Sequence, residues 1–258
     1  MRPRIRAPKL SIVEPALEDE YEDITLAEHA YRVLRQDIIS GALEPGIARR
    51  LEFLKSRYHV SFLPLREALN RLHAERLVIS TTSRGFKVAP LSEVEMWDAI
   101  NARALVDCEA LRKSLANGGE TWIESVRKAL GRLREVSSAN QGNSPEQDAV
   151  ETAHHHFHQA LVAACGSPWL VVLSEQFYAQ TDRYRLPSLR GEAGNATRNV
   201  DAEHGALVEA ITQGYAALAC ALLAKHYRDT GSFITLRNRI GKPDADETSS
   251  RRSLPVPS

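Results

Sequence analysis

Apolar residues recur at helical spacing from residue 25 onward. Leu26, Ala30, Val33, Leu34 and Ile38 share one side of a helix predicted over 25–40. Thr25 and Glu28 make a capping-box pair at its start, and Gly41 supplies its stop. "EPG" at 44–46 is a turn, a short helix is predicted over 51–58, and "HVS" breaks it. A longer helix follows over 63–75. Pro64 is tolerated in its first turn, and Leu65, Ala68, Leu69 and Leu72 form its buried face. Two short β-rich runs, 77–81 and 86–89, then flank "TSRG", the pattern of a hairpin. Helix, helix, turn, helix, hairpin is the order of a winged helix-turn-helix.

From 92 to 240 the period stays helical. Six helices are predicted, over 92–117, 121–139, 145–165, 168–187, 197–213 and 215–239. Such helices bury their apolar stripes against one another in a bundle. The expected fold class is therefore mainly α, an N-terminal winged helix-turn-helix (24–91) followed by an all-α six-helix bundle (92–240). A flexible arm (1–23) precedes them, and a tail rich in proline, serine and charge (241–258) follows.

Lysine and arginine balance aspartate and glutamate at 33 each, but unevenly along the chain. Residues 24–90 carry 11 basic against 6 acidic side chains, a balance of +5, and residues 91–258 carry 18 against 21, or −3. A basic first module suggests a polyanionic partner. The apolar runs are too short to span a bilayer, and the first 23 residues lack the apolar stretch of a secretory signal. Cys108, Cys165 and Cys220 are odd in number and widely spaced, which fits reduced thiols in a cytoplasmic protein.

On the helix over 63–75, Arg66, Asn70 and His73 are spaced i, i+4, i+7 and share a face. Arginine can pair with guanine and asparagine with adenine in the major groove. Lys55, Arg57 and Arg71 are candidate phosphate contacts, and Arg84 at the hairpin tip is a candidate for the minor groove. From spacing alone, an ordinary solvated helix face is an equal reading.

"AHHHFHQALVAACGS" at 153–167 places four histidines in five positions. His154 and His158, four apart, border the apolar face made by Ala153, Phe157, Ala160, Leu161 and Ala164, with Glu151 on the same stripe. His155 projects away, and His156 falls on the other flank. His204 shares a face with Val200, Leu207, Val208 and Ile211, and His226 with Ala219, Leu222 and Leu223. One histidine on an apolar face is usually a hydrogen-bonded core residue. Four on three helices also fit a metal site, since imidazole is a common ligand of Zn²⁺ and Ni²⁺.

"LRQDIISGALEPG" and "VSFLPLREALNRLHAERLVISTTSRGFKVAPLS" resemble the DNA-binding domain of the GntR family of bacterial transcription regulators. The shared signature is VS-x-x-P-hydrophobic-REAL followed by a glycine-tipped wing, over about 26–91. The resemblance implies a homodimer reading a palindromic DNA operator, with the helix from Leu63 in the major groove. Ser61 lies in the VS pair, Arg66 matches the groove-contacting arginine, and Gly85 matches the wing glycine. One departure stands out. Most members carry Arg-Thr after VS, where this chain has Phe62-Leu63, and Arg49 and Arg50 are candidates to compensate.

The helical block resembles the FCD effector domain of the FadR subfamily, whose signature is Asp-x-x-Phe-His, a later Glu-His and a final His. "HHHFH", "AEH" and "AKH" match in order, which puts His158, His204 and His226 on the histidine positions and His154 on the aspartate position. The resemblance implies a divalent metal, Zn²⁺ or Ni²⁺, held by four histidines, with Glu151 as a carboxylate alternative or partner. Six helices suggest the VanR-like branch, and the His-x-x-Phe-His text is similar to carbon-starvation repressors that respond to glutarate. It further implies a small carboxylate or dicarboxylate effector gripped by Arg103, with Arg185 and Arg183 as weaker candidates, and repression relieved by that effector. Two other readings rank below: a regulator with a purely structural metal, and a metal-dependent hydrolase. The hydrolase lacks the HExxH glutamate, a GxSxG elbow and a P-loop.

Overall fold

The computed structural model describes residues 25–81, 85–139, 144–189 and 198–240. The expected arm, the expected tail and Arg84 lie outside them. The N-terminal head holds α1 (Leu26–Ile39), β1 (Ala48–Arg50), α2 (Leu51–Tyr58), α3 (Phe62–Ala74), β2 (Val78–Thr81) and β3 (Gly85–Val88). The Thr25 hydroxyl accepts the Glu28 N–H at 3.1 Å, so the capping residue is the predicted one. The Glu28 carboxylate turns instead to Arg32 and Arg71. The apolar stripe of α1 runs through Ala27, Ala30, Leu34 and Ile38, whereas Leu26 is 65% exposed. The register of the buried face is thus one residue later at its start than the pattern predicts.

Leu65, Ala68, Leu69 and Leu72 form the buried face of α3, as expected, and meet Leu34, Ile38 and Leu77 in the core of the head. Each fully buried leucine contributes about 1.5–3 kcal/mol. The hairpin β2–β3 is the wing, antiparallel with Val78 opposite Val88. The spacing did not predict β1, which pairs antiparallel with β3 through Ala48–Lys87 and Arg50–Gly85 and gives the sheet order β1-β3-β2.

The bundle holds α4 (Glu93–Asn117), α5 (Gly119–Ala139), α6 (Ser144–Val162), α7 (Pro168–Leu189), α8 (Val200–Thr212) and α9 (Ala216–Ile240). α4 packs on α9 and α7, α5 on α6, and α8 on α9. Phe157, Leu111, Leu161, Ile211 and Leu223 are fully buried among them. α9 lies close against α4 because Gly231 leaves room: a Cβ there would sit 2.6 Å from Ile100 Cδ1.

The head rests on α7. Arg35 of α1 reaches Glu75 at 3.4 Å and Glu175 at 3.0 Å, the Gln180 amide donates to the Glu75 carbonyl, and Ile39 packs with Ala179 and Leu186. Gly41, which ends α1 at φ 79°, also faces α7, and a Cβ there would lie 3.3 Å from Pro187 Cγ.

Candidate metal and effector site

Four histidines converge inside the bundle. α6 contributes His154 and His158 one turn apart, α8 contributes His204 and α9 contributes His226. All four are buried, and one ligating nitrogen from each lies within 4.8 Å of the others. Nε2 of His154 and Nε2 of His158 are 3.2 Å apart. Four nitrogens bound tetrahedrally at zinc distances stand roughly 3.4 Å from one another.

The surrounding hydrogen bonds set the tautomers. The Tyr227 hydroxyl donates to Asp107 at 2.7 Å, so its contact with His158 Nδ1 at 3.3 Å must be donated by the imidazole. His226 Nδ1 donates to Glu203 at 2.8 Å. Nδ1–H leaves the lone pair on Nε2, the arrangement of a metal-binding imidazole held by a carboxylate or hydroxyl behind it. His154 Nδ1 is 3.2 Å from the Tyr178 hydroxyl. Nε2 of His204 is buried without a hydrogen-bond partner. Burial, reinforced by neighbouring imidazoles and by Arg103, Arg185 or Arg198, lowers the pKa of all four rings. They are neutral at neutral pH, with lone pairs free for a cation. The orphaned Nε2 of His204 and the lone pairs on Nε2 of His158 and His226 fit a divalent ion.

His155 points elsewhere, to Glu175 at 2.6 Å, which leaves His154 as the residue in the cluster. Glu151 pairs with Arg185 and Gln147 and stands outside the histidine set. Arg103 is buried beside the cluster. Its guanidinium donates to Asp107 at 3.2 Å and to Thr181 at 2.7 Å, and lies 4.1 Å from the Tyr227 ring centre and 4.7 Å from that of Tyr178. Arg185 is clamped by Asp182 at 2.8 Å and by Glu151. Arg183 turns away from the site and donates to the backbone carbonyls of Ala89 and Pro90, between head and bundle.

On the head, Arg66 and Asn70 are exposed on α3 beside Ser61, the residue that starts the helix. His73, on the same face, donates from Nδ1 to the Val78 carbonyl at 3.0 Å. Lys55 stands over the Phe62 ring at 4.8 Å, so Phe62 orients a cation on this surface. Arg57 is paired with Asp37 at 3.0 Å, and Arg71 with Glu28 at 2.6 Å over the ring of Tyr31. These two side chains are therefore committed to intramolecular ion pairs. Arg49 of β1 lies over Phe53 of α2, Arg50 stands at the residue before α2 and opposite Gly85, and Gly85 opens β3.

Sequence profiles place an FCD domain over residues 98–229 and the gntR family of bacterial regulatory proteins over 26–88. The chain belongs to the GntR family. This GntR protein is 35% identical over 211 residues to an uncharacterized HTH-type transcriptional regulator, BphR, of Paraburkholderia xenovorans (strain LB400), covering 81% of this chain and 85% of that one. It is 34% identical over 198 residues to the HTH-type transcriptional repressor GlaR of Escherichia coli (strain K12), covering 76% and 90%. Its fold is similar to that of E. coli McbR/YncC, with a TM-score of 0.71 at 18% identity over 83% of this chain and 99% of that one. A GntR regulator from Rhodococcus sp. RHA1 follows at 0.65 and 22%, over 81% and 97%. The GntR protein is thus a DNA-binding transcription regulator and not an enzyme. Among the described residues, no helix is long and apolar enough to cross a membrane.

Several site residues went unread in the sequence. Tyr178, Asp182, Glu203 and Tyr227 hold the histidines and arginines, yet a tyrosine at helical spacing looks like core. Tyr178, Asp182 and Arg185 do follow an i, i+4, i+7 spacing on α7, a signal that could have found that face.

Proposed function

We propose that this GntR regulator is a cytoplasmic homodimeric repressor that binds a palindromic operator and senses a small carboxylate through a divalent metal, Zn²⁺ or Ni²⁺. The observation that carries this reading is the set of four buried neutral imidazoles, His154, His158, His204 and His226, with ligating atoms within 4.8 Å. A bound ion would supply Lewis-acid positions for a carboxylate. Arg103, stacked between two tyrosines, is the group suited to grip the effector's other end, with Arg185 beside it. GlaR, at 34% identity, is a repressor, which supports the same sign here.

α7 carries the signal. Thr181 and Asp182 on this helix hold Arg103 and Arg185, while Glu175, Gln180 and Arg183 hold the head. An effector that draws the arginines toward itself pulls on α7 and so on the seat of the head, which alters the spacing of two heads on DNA. Arg66 and Asn70 are assigned to base edges, and Ser61, Lys55, Arg49 and Arg50 to the backbone, with Arg57 and Arg71 reaching phosphate only by leaving their carboxylate partners.

The test is thermal melting of metal-stripped and metal-loaded protein against a panel of mono- and dicarboxylates. A ligand at 100 times its Kd adds about 2.7 kcal/mol. Stabilisation by one acid only when metal is present supports the reading. Metal stabilisation that no acid augments favours a structural ion, and indifference to both refutes the site.

A further inference from the structure

The bundle contains a second reactive cluster, on the α4–α9 face. Cys108 of α4 and Cys220 of α9 sit across the seam, each half-buried. The Cys108 thiol donates to the Cys220 carbonyl at 3.2 Å, and the Cys220 thiol to the Cys108 carbonyl at 3.3 Å. Each sulfur therefore lies over the backbone of the other residue. The two sulfurs are also near enough that each thiol shifts the titration of the other. Both line an open groove of about 480 Å³ with Leu105, Glu109, Arg112 and Arg228, so small solutes reach them. Cys165 differs: it is buried, with its thiol turned to the Ser167 carbonyl at 3.5 Å.

We infer that Cys108 and Cys220 form a peroxide-responsive thiol pair that closes to a disulfide and ties α4 to α9. The cysteines have unequal roles. The neighbouring Cys108 thiol and the Arg112 guanidinium in the same groove lower the pKa of the Cys220 thiol, while the Cys220 thiol and burial raise that of Cys108. Cys220 is thus the attacking thiolate. Its sulfur attacks one oxygen of hydrogen peroxide, the O–O bond breaks, and hydroxide leaves, giving a sulfenic acid. The Cys108 sulfur then attacks Cys220 Sγ, the S–O bond breaks, and the hydroxyl leaves as water with the Cys108 proton. Two thiols are oxidised, one peroxide is reduced to two waters, and a dithiol reverses the change. α4 carries Arg103 and α9 carries His226, so the bond joins two walls of the histidine site.

The experiment treats reduced full-length protein with hydrogen peroxide in the presence of a metal chelator, alkylates the remaining thiols and maps the peptides by mass spectrometry. The expected product is a chain lighter by two hydrogens, with Cys165 still alkylated and one dithiothreitol-sensitive peptide pair joining Cys108 to Cys220. In Cys108→Ser, oxidation is expected to stop at a sulfenic acid on Cys220 that dimedone captures. Peroxide-treated wild-type protein that still alkylates at both positions overturns the inference. So does Cys220 driven to sulfinic acid, or a disulfide between two chains, in the wild type.

Discussion

Replacing His204 by leucine separates two opposing effects at the histidine site. The residue is 2% exposed, its ring centre lies 4.7 Å from those of both Phe157 and His226, and its Nε2 has no partner. Burial holds the ring neutral. A buried polar atom left unsatisfied costs about 1–3 kcal/mol. Leucine has a similar volume and no polar atom, so in chelated protein His204→Leu is expected to gain up to that amount. At about 2–4 °C per kcal/mol for a protein of this size, the melting temperature rises by several degrees. With zinc at 100 times its Kd, the ion contributes about 2.7 kcal/mol to wild type, and loss of one of four ligands removes most of it. The difference between variant and wild type therefore changes sign between chelator and zinc, which differential scanning fluorimetry reads directly. A variant that melts below wild type in chelator shows that Nε2 is not an uncompensated atom. A variant that gains as much from zinc as wild type does shows that His204 is not a ligand.

Three further outcomes follow from the geometry. In chelated protein, burial keeps the four imidazoles below the usual histidine pKa of about 6.5, so beneath that pH the unfolded chain binds more protons than the fold. Stability should be flat above about pH 6.5 and fall as pH drops below it, by up to about 1.4 kcal/mol per pH unit for each histidine. Urea midpoints across that range test the sign, and a rise on acidification contradicts it. Gly41→Ala meets both a positive φ and Pro187 at 3.3 Å and should lose about 1–2 kcal/mol or more, measured by chemical denaturation. Unchanged stability would mean that neither constraint holds. Glu175→Gln keeps the shape but removes the charge shared by Arg35 and His155. Zinc affinity should stay within about threefold, since no ligand is touched. In zinc-loaded protein, the change that a stabilising carboxylate makes in affinity for a DNA site selected with wild-type protein should shrink roughly three- to tenfold, about 0.7–1.4 kcal/mol. A full carboxylate response on that DNA would remove Glu175 from the coupling path.

Much of the fold was legible because burial follows period. The stripe on α3 and the faces bearing His158, His204 and His226 are where spacing put them. β1 was not legible, since three residues, two of them arginines, leave no alternating signal; only pairing with β3 makes them a strand. Leu26 was misplaced because the buried stripe is set by Ala27, Ala30, Leu34 and Ile38, and Leu26 lies one position round the helix from it. The roles of Arg183 and Tyr227 depend on partners 94 and 120 positions away along the chain, and no local pattern encodes such contacts. Arg103 came from resemblance, and Arg185 from the fit of arginine to a carboxylate. The structure adds the carboxylates that hold them, Asp107 for Arg103 and Asp182 and Glu151 for Arg185.

The distribution of the four imidazoles over the chain has a kinetic consequence. His154 and His158 form a preassembled chelating pair within a single turn of α6, whereas His204 and His226 arrive only when α8 and α9 dock. A cation would thus be captured first by the local pair and locked afterwards by the two distant rings, and its release would run the same route backwards. Its residence time would then follow how often α8 and α9 open away from α6, rather than the strength of any one nitrogen–metal bond.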